Sequence, residues 1–144
     1  MKNNARIGIL GEDISVKYLE SRGYDIIERN FRQSYGELDI ITSDPDRTLV
    51  FIEVKTMKRP GDFSGKHDIS PEDNMSRMKI SKTQKIAWAY ANAHPELLQE
   101  NRGWRIDLIA ITVDFPADGV FREDFTDLTD MHKYCEIKHF ENVN

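Results

Sequence analysis

The chain has 144 residues and a net charge of −5, which suits a single domain with a substantial hydrophobic core. It contains no apolar run of about eighteen residues, which excludes a membrane-spanning helix. The one cysteine, Cys135, cannot form an internal disulfide, and the amino-terminal residues show no export signal, so we expect a cytoplasmic protein.

The charge is distributed unevenly along the chain. Residues 55–85 carry eight Lys and Arg side chains against four acids, whereas residues 114–144 carry eight acids and three bases. The acidic net charge argues against a simple nucleic-acid binder, but the locally basic middle weakens that argument. We expect one domain over residues 1–144, with an acidic carboxy-terminal extension from about residue 115.

The first half of the chain predicts one helix and three strands. Residues 4–22 form a helical pattern that ends at Gly23, a residue type common after the last turn of a helix. Strand-like segments follow at residues 25–33, 36–43 and 48–58. Asp44-Pro45-Asp46-Arg47 predicts a tight turn, so the second and third strands should form a hairpin.

The second half begins with residues 59–75, whose two Gly and two Pro predict a long loop. A helix over residues 76–93, capped by Ser76, precedes a strand over residues 104–114 and a short strand over residues 133–140. The resulting order is α-β-β-β-α-β with a short final strand. It is typical of an α/β fold in which helices flank a mixed central sheet.

Charged side chains interrupt the third strand at Glu53-Val54-Lys55. Residues two apart on a strand share a face, so Glu53 and Lys55 point the same way, and burying them is unfavourable unless something binds them. Asp39 lies on the neighbouring strand. Two carboxylates and a lysine can hold a metal ion beside a positioned cation, as phosphodiester hydrolysis requires. The alternative is a solvated Asp39 and a set of cross-strand salt bridges around Glu53 and Lys55.

Glu12 is the polar member of an apolar stripe in the first helix, which it shares with Ile9, Val16 and Leu19. An inward carboxylate needs a partner, a metal ion or a raised pKa. The alternative is that Glu12 lies at the edge of the stripe and meets solvent or an arginine. The helix pattern does not decide between these two interpretations.

In chain order these residues resemble a known nuclease pattern. The segments that carry the resemblance are GEDISVKYLESRGYDIIERNFR, GELDIITSD, LVFIEVKT, the predicted helix with Lys79 and Lys82, and WRIDLIAI. They are similar to the PD-(D/E)xK superfamily and, more narrowly, to the YraN family of bacterial proteins (uncharacterised protein family 0102), which is similar to archaeal Holliday-junction resolvases. The resemblance implies a restriction-endonuclease-like core. It also implies metal binding by Asp39 and Glu53, with Glu12 as a candidate further ligand and Lys55 as the catalytic lysine.

Two positions depart from the pattern, since Leu38 stands where the superfamily often has proline and Met57 where the family commonly has arginine. Neither change removes a metal ligand. Mg²⁺, or Mn²⁺ in its place, prefers oxygen ligands and keeps several waters, and the Val54 carbonyl is a candidate extra ligand. Lys55 would orient the attacking water or neutralise the charge that develops on phosphorus.

Basic side chains follow the candidate site along the chain. Lys58 and Arg59 end the third strand, and Lys79 and Lys82 lie on the second predicted helix. We expect these four residues to contact phosphates. The alternative for the helix is a basic face that is merely solvated.

Other polar and aromatic residues are assigned to the core. Arg105 and Asp107 share a strand face and predict a buried ion pair. Trp88 and Trp104 are interpreted as core residues rather than as stacking platforms for bases. The helix residues expected to pack on the sheet are Met78, Ile86, Ala89, Tyr90 and Ala93.

The sequence thus predicts a Mg²⁺- or Mn²⁺-dependent nuclease-like protein that hydrolyses DNA phosphodiesters, with branched or damaged DNA as candidate substrates. Two alternatives stay open: a nucleic-acid-binding module of the same fold that hardly cleaves, and a partner-binding protein that uses the acidic tail. The resemblance to junction resolvases, which need two active sites, implies a homodimer.

Overall fold

The described part of the chain forms three layers, with a helix on each face of a five-stranded sheet. The computed structural model describes residues 2–59, 77–100, 102–114 and 135–144, with side chains for residues 8–57, 78–100, 102–113 and 135–144. Among the described helices, none is both long and apolar enough to cross a membrane. The mixed α/β fold that the sequence predicts, of restriction-endonuclease-like type, is confirmed.

The helices and strands occupy the predicted segments of the chain. In order they are α1 (Lys2–Ser21), β1 (Asp25–Gln33), β2 (Gly36–Ser43), β3 (Leu49–Arg59), α2 (Arg77–Ala93), a short 3-10 helix (Pro95–Leu97), β4 (Trp104–Asp114) and β5 (Cys135–Phe140). Arg59, the first residue of the loop predicted over residues 59–75, belongs to β3. The rest of that loop, the Ser76 cap and residues 133–134 lie outside the described residues.

The strands follow one another in the sheet in sequence order, β1-β2-β3-β4-β5. β1, β2 and β3 are antiparallel neighbours, β3 and β4 are parallel, and β5 is antiparallel to β4. A parallel pair needs a long crossover connection, and α2 lies in the one between β3 and β4. The predicted order is therefore confirmed, with the short final strand at the edge of the sheet.

Two hydrophobic cores lie on opposite faces of the sheet. The α1 core contains Ile14, Leu19, Ile40, Val50, Ile52, Ile109, Ile111 and Val113. The α2 core contains Leu38, Ile41, Leu49, Phe51, Ile86, Ala87, Tyr90, Ala91 and Ile106. Because β3 is covered on both faces, its alternation points Val50 and Ile52 towards α1 and Phe51 and Glu53 towards α2.

The turn between β2 and β3 confirms the predicted hairpin. The Asp44 carboxylate accepts hydrogen bonds from the backbone N–H groups of Asp46 at 2.9 Å and Thr48 at 2.8 Å, as is typical of an Asp-initiated turn. Arg47 completes the turn with a positive φ of 67°.

The predicted ion pair between Arg105 and Asp107 is confirmed at 2.9 Å. Arg105 also contacts Asp44 at 2.8 Å, and His139 contacts Asp107 at 2.8 Å. Burial acts to raise the pKa of Asp107, but its hydrogen bonds with His139, Arg105 and the backbone of Asn142 hold it below the ordinary value. This network joins the hairpin turn, β4 and the carboxy-terminal segment.

Three core assignments on α2 are wrong. Met78 is 70 % exposed, Trp88 is 63 % exposed and Ala93 is also exposed. The helix turns an arc centred on Ile86, Ala87 and Tyr90 towards the sheet, and the misassigned residues lie outside it. The assignments of Ile86 and Tyr90 are confirmed, since both are buried in the α2 core, and Ala89 is partly buried.

The core assignment of Trp104 is confirmed, because this residue is half-buried and packs edge-on against Phe51 with ring centroids 5.5 Å apart. Ile9, which the apolar stripe of α1 includes, is 60 % exposed.

Candidate active site

The candidate site lies where β2 and β3 stop pairing. Their backbone register ends at Ile40 opposite Ile52. Just beyond this pair, Asp39 Oδ2 accepts a hydrogen bond from the backbone N–H of Val54 at 2.8 Å. A carboxylate side chain therefore occupies the place of a strand partner, and β3 fixes its position.

Glu53 lies beside Asp39 and is paired with a lysine from α2. Glu53 is buried, at 8 % exposure, and its Oε1 lies 2.6 Å from Nζ of Lys79. Partial burial acts to lower the pKa of Lys79, but the hydrogen bond and charge of Glu53 outweigh it, so this pKa is raised. The cation that contacts Glu53 is thus Lys79 rather than Lys55.

Asp39 has a strongly perturbed protonation equilibrium. Burial and the negative charge of Glu53 raise its pKa to about 7, against the opposing effect of the hydrogen bond from Val54. Near neutral pH this carboxyl group is therefore balanced between its neutral and ionised forms. A cation placed beside it would favour the ionised form.

Glu12 approaches Asp39 from α1. Both of its carboxylate oxygens lie 3.2 Å from the side-chain nitrogen of Asn30 when that amide is oriented to donate. Burial and the charge of Asp39 raise the pKa of Glu12, while Arg29 and Asn30 act to lower it. Asn30 lies in β1 between Arg29 and Phe31, which pair with the two neighbours of Asp39 in β2, and it has a positive φ of 53°. Glu12 is therefore close enough to Asp39 for the two carboxylates to influence each other, as expected if Glu12 points inward.

Two glycines allow the helices to approach the sheet at this site. A Cβ atom on Gly11 would overlap the hydroxyl of Thr56, and one on Gly36 would overlap the side chain of Ile86. Gly36 also has a φ of 145°, a conformation open to glycine and rarely to other residues. Gly11 precedes Glu12 in the chain, so the close contact of α1 with β3 positions that carboxylate.

An open groove of 330 Å³ lies between the β1–β2 turn and α2. Glu53 lines it, together with Lys79 and Lys82 of α2. Two exposed apolar side chains also line it, Tyr35 at 55 % and Met78 at 70 % exposure. Glu37 also lines the groove, so its two acids balance the charge of its two lysines. The groove is therefore open to a ligand that offers apolar surface beside polar groups.

Among the described side chains, the structure gives no contact between the carboxylates and three other predicted site residues, Lys55, Lys58 and Arg59. Lys55 is exposed on β3, and its side chain makes no ion pair or hydrogen bond with the part of the chain that the structure describes. The side chains of Lys58 and Arg59 lie outside the described residues. The structure thus brings together Glu12, Asp39, Glu53 and Lys79.

Within residues 2–59, 77–100, 102–114 and 135–144, no three His, Cys, Asp or Glu side chains form a metal-binding group. Mg²⁺ does not need one, because it is commonly held by one or two carboxylates and several waters. Asp39 and Glu53 provide two neighbouring carboxylates, and burial together with the charge of Glu53 raises the pKa of Asp39. The donor chemistry of this pair therefore fits a hard divalent cation.

The sequence does not predict two features of the site, the pairing of Lys79 with Glu53 and the place of Asn30. Lys79 is predicted to contact phosphate, and its pairing with Glu53 depends on how α2 packs on the sheet. Asn30 lies in β1 directly after another polar residue, Arg29. The signal that could have pointed to it is the tolerance of Asn for positive φ.

The fold and the site define a class of protein: an α/β domain of restriction-endonuclease-like type with carboxylates clustered where two central strands separate. The chain belongs to the uncharacterised protein family UPF0102, whose family model matches residues 11–111. The family that the sequence motifs indicate is thereby confirmed.

Three relatives illustrate the match. A UPF0102 protein of Syntrophomonas wolfei is 36 % identical over 111 residues, which cover 77 % of this chain and 88 % of the relative. One from Dictyoglomus turgidum is 44 % identical over 88 residues, covering 61 % of this chain and 69 % of the relative. One from Corynebacterium efficiens is 30 % identical over 125 residues, covering 87 % and 93 %.

Proposed function

We propose that this protein is a divalent-metal-dependent nuclease that hydrolyses DNA phosphodiesters. The observation that carries the proposal is the placement of Asp39. Its carboxylate is fixed by the Val54 N–H at 2.8 Å, lies beside Glu53, and has a pKa raised to about 7. Strongly perturbed carboxyl groups next to an open groove are typical of active sites.

The carboxylates of Asp39 and Glu53 and the backbone carbonyl of Val54 would hold Mg²⁺ or Mn²⁺, with Glu12 as a further ligand from α1. When bound, such an ion polarises the scissile phosphate and makes water a stronger nucleophile at neutral pH. The protein would supply the geometry. Glu53 and Val54 belong to β3, and the Val54 N–H holds the carboxylate of Asp39. Gly11 allows α1 to approach β3 closely beside Glu12.

The lysines have separate proposed roles. Lys55, exposed and unpaired among the described residues, would stabilise the charge that develops on phosphorus. Lys79 and Lys82 line the groove and would contact the phosphates that flank the scissile bond. Lys58 and Arg59 extend the basic segment in the sequence and are proposed to contact phosphates further along the strand.

One observation favours the alternative of a binding module that hardly cleaves. Glu53 already has a cationic partner, because Lys79 lies 2.6 Å from it, and a metal ion would have to compete with that lysine. A binding module of this kind would retain nucleic-acid affinity without metal-dependent turnover.

The test is an incubation of the protein with linear, flapped and four-way DNA in Mg²⁺ or Mn²⁺, beside matched samples in EDTA. The proposal predicts metal-dependent cleavage of at least one substrate. Cleavage should be lost in Asp39→Asn and retained in the control Asp25→Asn, because Asp25 is an exposed residue at the start of β1. If the protein binds the DNA panel but leaves it intact with either metal, the binding-module alternative replaces the nuclease.

A further inference from the structure

Three lysines and a tryptophan follow one another in a row along α2, from the side that meets Glu53 to the opposite side of the helix. Lys79, Lys82, Lys85 and Trp88 recur at three-residue intervals, and all four are exposed. Trp88 is the largest of them, with 63 % of its surface exposed. Exposing a tryptophan to this extent is unusual on a surface that meets only water, because its large apolar ring gains most from burial.

The row crosses the helix obliquely. Each three-residue step advances about 4.5 Å along the helix axis and turns about 60° around it. The row therefore starts at the groove that contains Glu53, where Lys79 and Lys82 lie, and crosses the outer face of α2. It ends at a second groove of 560 Å³, lined by Ser81, Gln84, Lys85, Trp88, Ala89 and Trp104.

The chemistry of the row matches a single strand of nucleic acid. Three ammonium groups in sequence complement a line of phosphates. An exposed indole ring at the end offers a flat apolar face on which an unpaired base can stack. A paired base in a duplex is already stacked on its neighbours, so its faces are not open to Trp88.

We propose that this row binds a single-stranded segment of DNA, with phosphates on the three lysines and an unpaired base stacked on Trp88. The inference rests on the proposed function, because the bound strand would lead to the carboxylates at Asp39 and Glu53. It narrows the substrate class to DNA with unpaired nucleotides beside the cleavage position, such as a flap, a fork or a junction arm that has frayed.

Tryptophan fluorescence gives a direct test, because the chain has only two tryptophans. The variant Trp104→Phe leaves Trp88 as the single reporter, and Trp88→Phe leaves Trp104, which packs on Phe51. Each is titrated in EDTA with an oligothymidylate of about 16 nucleotides and with a duplex of equal length. We expect saturable quenching of Trp88 emission by the single strand and a much smaller change with the duplex.

The affinity of a labelled oligothymidylate, measured by fluorescence anisotropy, provides a second readout that needs no Trp104 variant. Trp88→Ala should weaken binding by about 5- to 150-fold, the range expected for loss of one stacked base. Trp88→Phe should restore much of the affinity. Ile9→Ala removes an equally exposed apolar side chain from α1 and should bind as the wild type does.

Unchanged affinity in Trp88→Ala, unchanged Trp88 emission, or equal quenching by the duplex would each overturn the inference. Its failure is distinguishable from failure of the proposed function. Quenching and weakened binding without any cleavage would leave the strand-binding row standing and refute the nuclease. Cleavage that is the same in Trp88→Ala as in the wild type, with no quenching of Trp88, would support the nuclease and refute the strand-binding row.

Discussion

Replacing Asp39 with Asn tests the electrostatic account of the site. Asn keeps an oxygen that can accept the hydrogen bond from the Val54 N–H but removes the negative charge that Glu53 repels. In the absence of metal we therefore expect Asp39→Asn to be more stable than the wild type at alkaline pH. The effect should depend on pH, because it arises from ionisation of the Asp39 carboxyl group.

The sign follows from the raised pKa of Asp39. Its folded value of about 7 lies above the ordinary value of 3.8, so between these pH values the folded state holds a proton that the unfolded chain has released. The wild type loses stability as pH rises through this window, and the loss is complete above pH 7 or so. Each pH unit crossed there corresponds to about 1.4 kcal/mol.

From pH 5 to pH 8 the wild type can therefore lose at most roughly 3 kcal/mol of folding stability through Asp39. The partial exposure of Asp39 makes the expected loss smaller. We expect the stability advantage of Asp39→Asn to grow by about 1–2 kcal/mol over this range, which is about 3–8 °C in melting temperature.

The assay is thermal unfolding of wild type, Asp39→Asn and the control Asp25→Asn in EDTA at a series of pH values. Asp25 is an exposed acid at the start of β1, so its variant should follow the wild-type pH profile. A stability difference between Asp39→Asn and wild type that stays constant from pH 5 to pH 8, or that changes in the opposite direction, would refute the reasoning.

Three further predictions concern residues around the carboxylates. Lys79→Ala leaves Glu53 buried without its partner and should lower the free energy of unfolding by about 1–2 kcal/mol at neutral pH, as measured by urea denaturation; a change no larger than that of Lys82→Ala would contradict it. Lys55→Ala should alter stability by less than about 0.5 kcal/mol and lower the rate of DNA cleavage by roughly a hundred- to a thousandfold; normal cleavage per folded molecule would reject its catalytic role. Gly11→Ala should cost about 1–3 kcal/mol through overpacking against β3, visible as a lower melting temperature, whereas an unchanged melting temperature would show that α1 can shift at no cost.

The sheet could be predicted from the sequence because its signals are local. Alternating or continuous apolar residues mark each strand, and Asp44 and Pro45 mark the turn that makes β2 and β3 a hairpin. Asp39 and Glu53 lie at matching distances from that turn, so their proximity follows from the hairpin register alone.

The contacts of the helices could not be predicted in the same way. Lys79 reaches Glu53 because α2 packs over the hairpin, and the spacing of Glu53-Val54-Lys55 along β3 gives no information about that contact. Trp88 and Met78 were misassigned because α2 has apolar residues around much of its circumference, and helical periodicity alone does not select the buried arc.

The most direct test of the central claim is calorimetric titration of the folded protein with Mn²⁺. The account predicts weak binding by the wild type and by Asp25→Asn, and no measurable binding by Asp39→Asn, because that variant lacks the carboxylate that β3 positions beside Glu53. Equal Mn²⁺ binding by wild type and Asp39→Asn would contradict it.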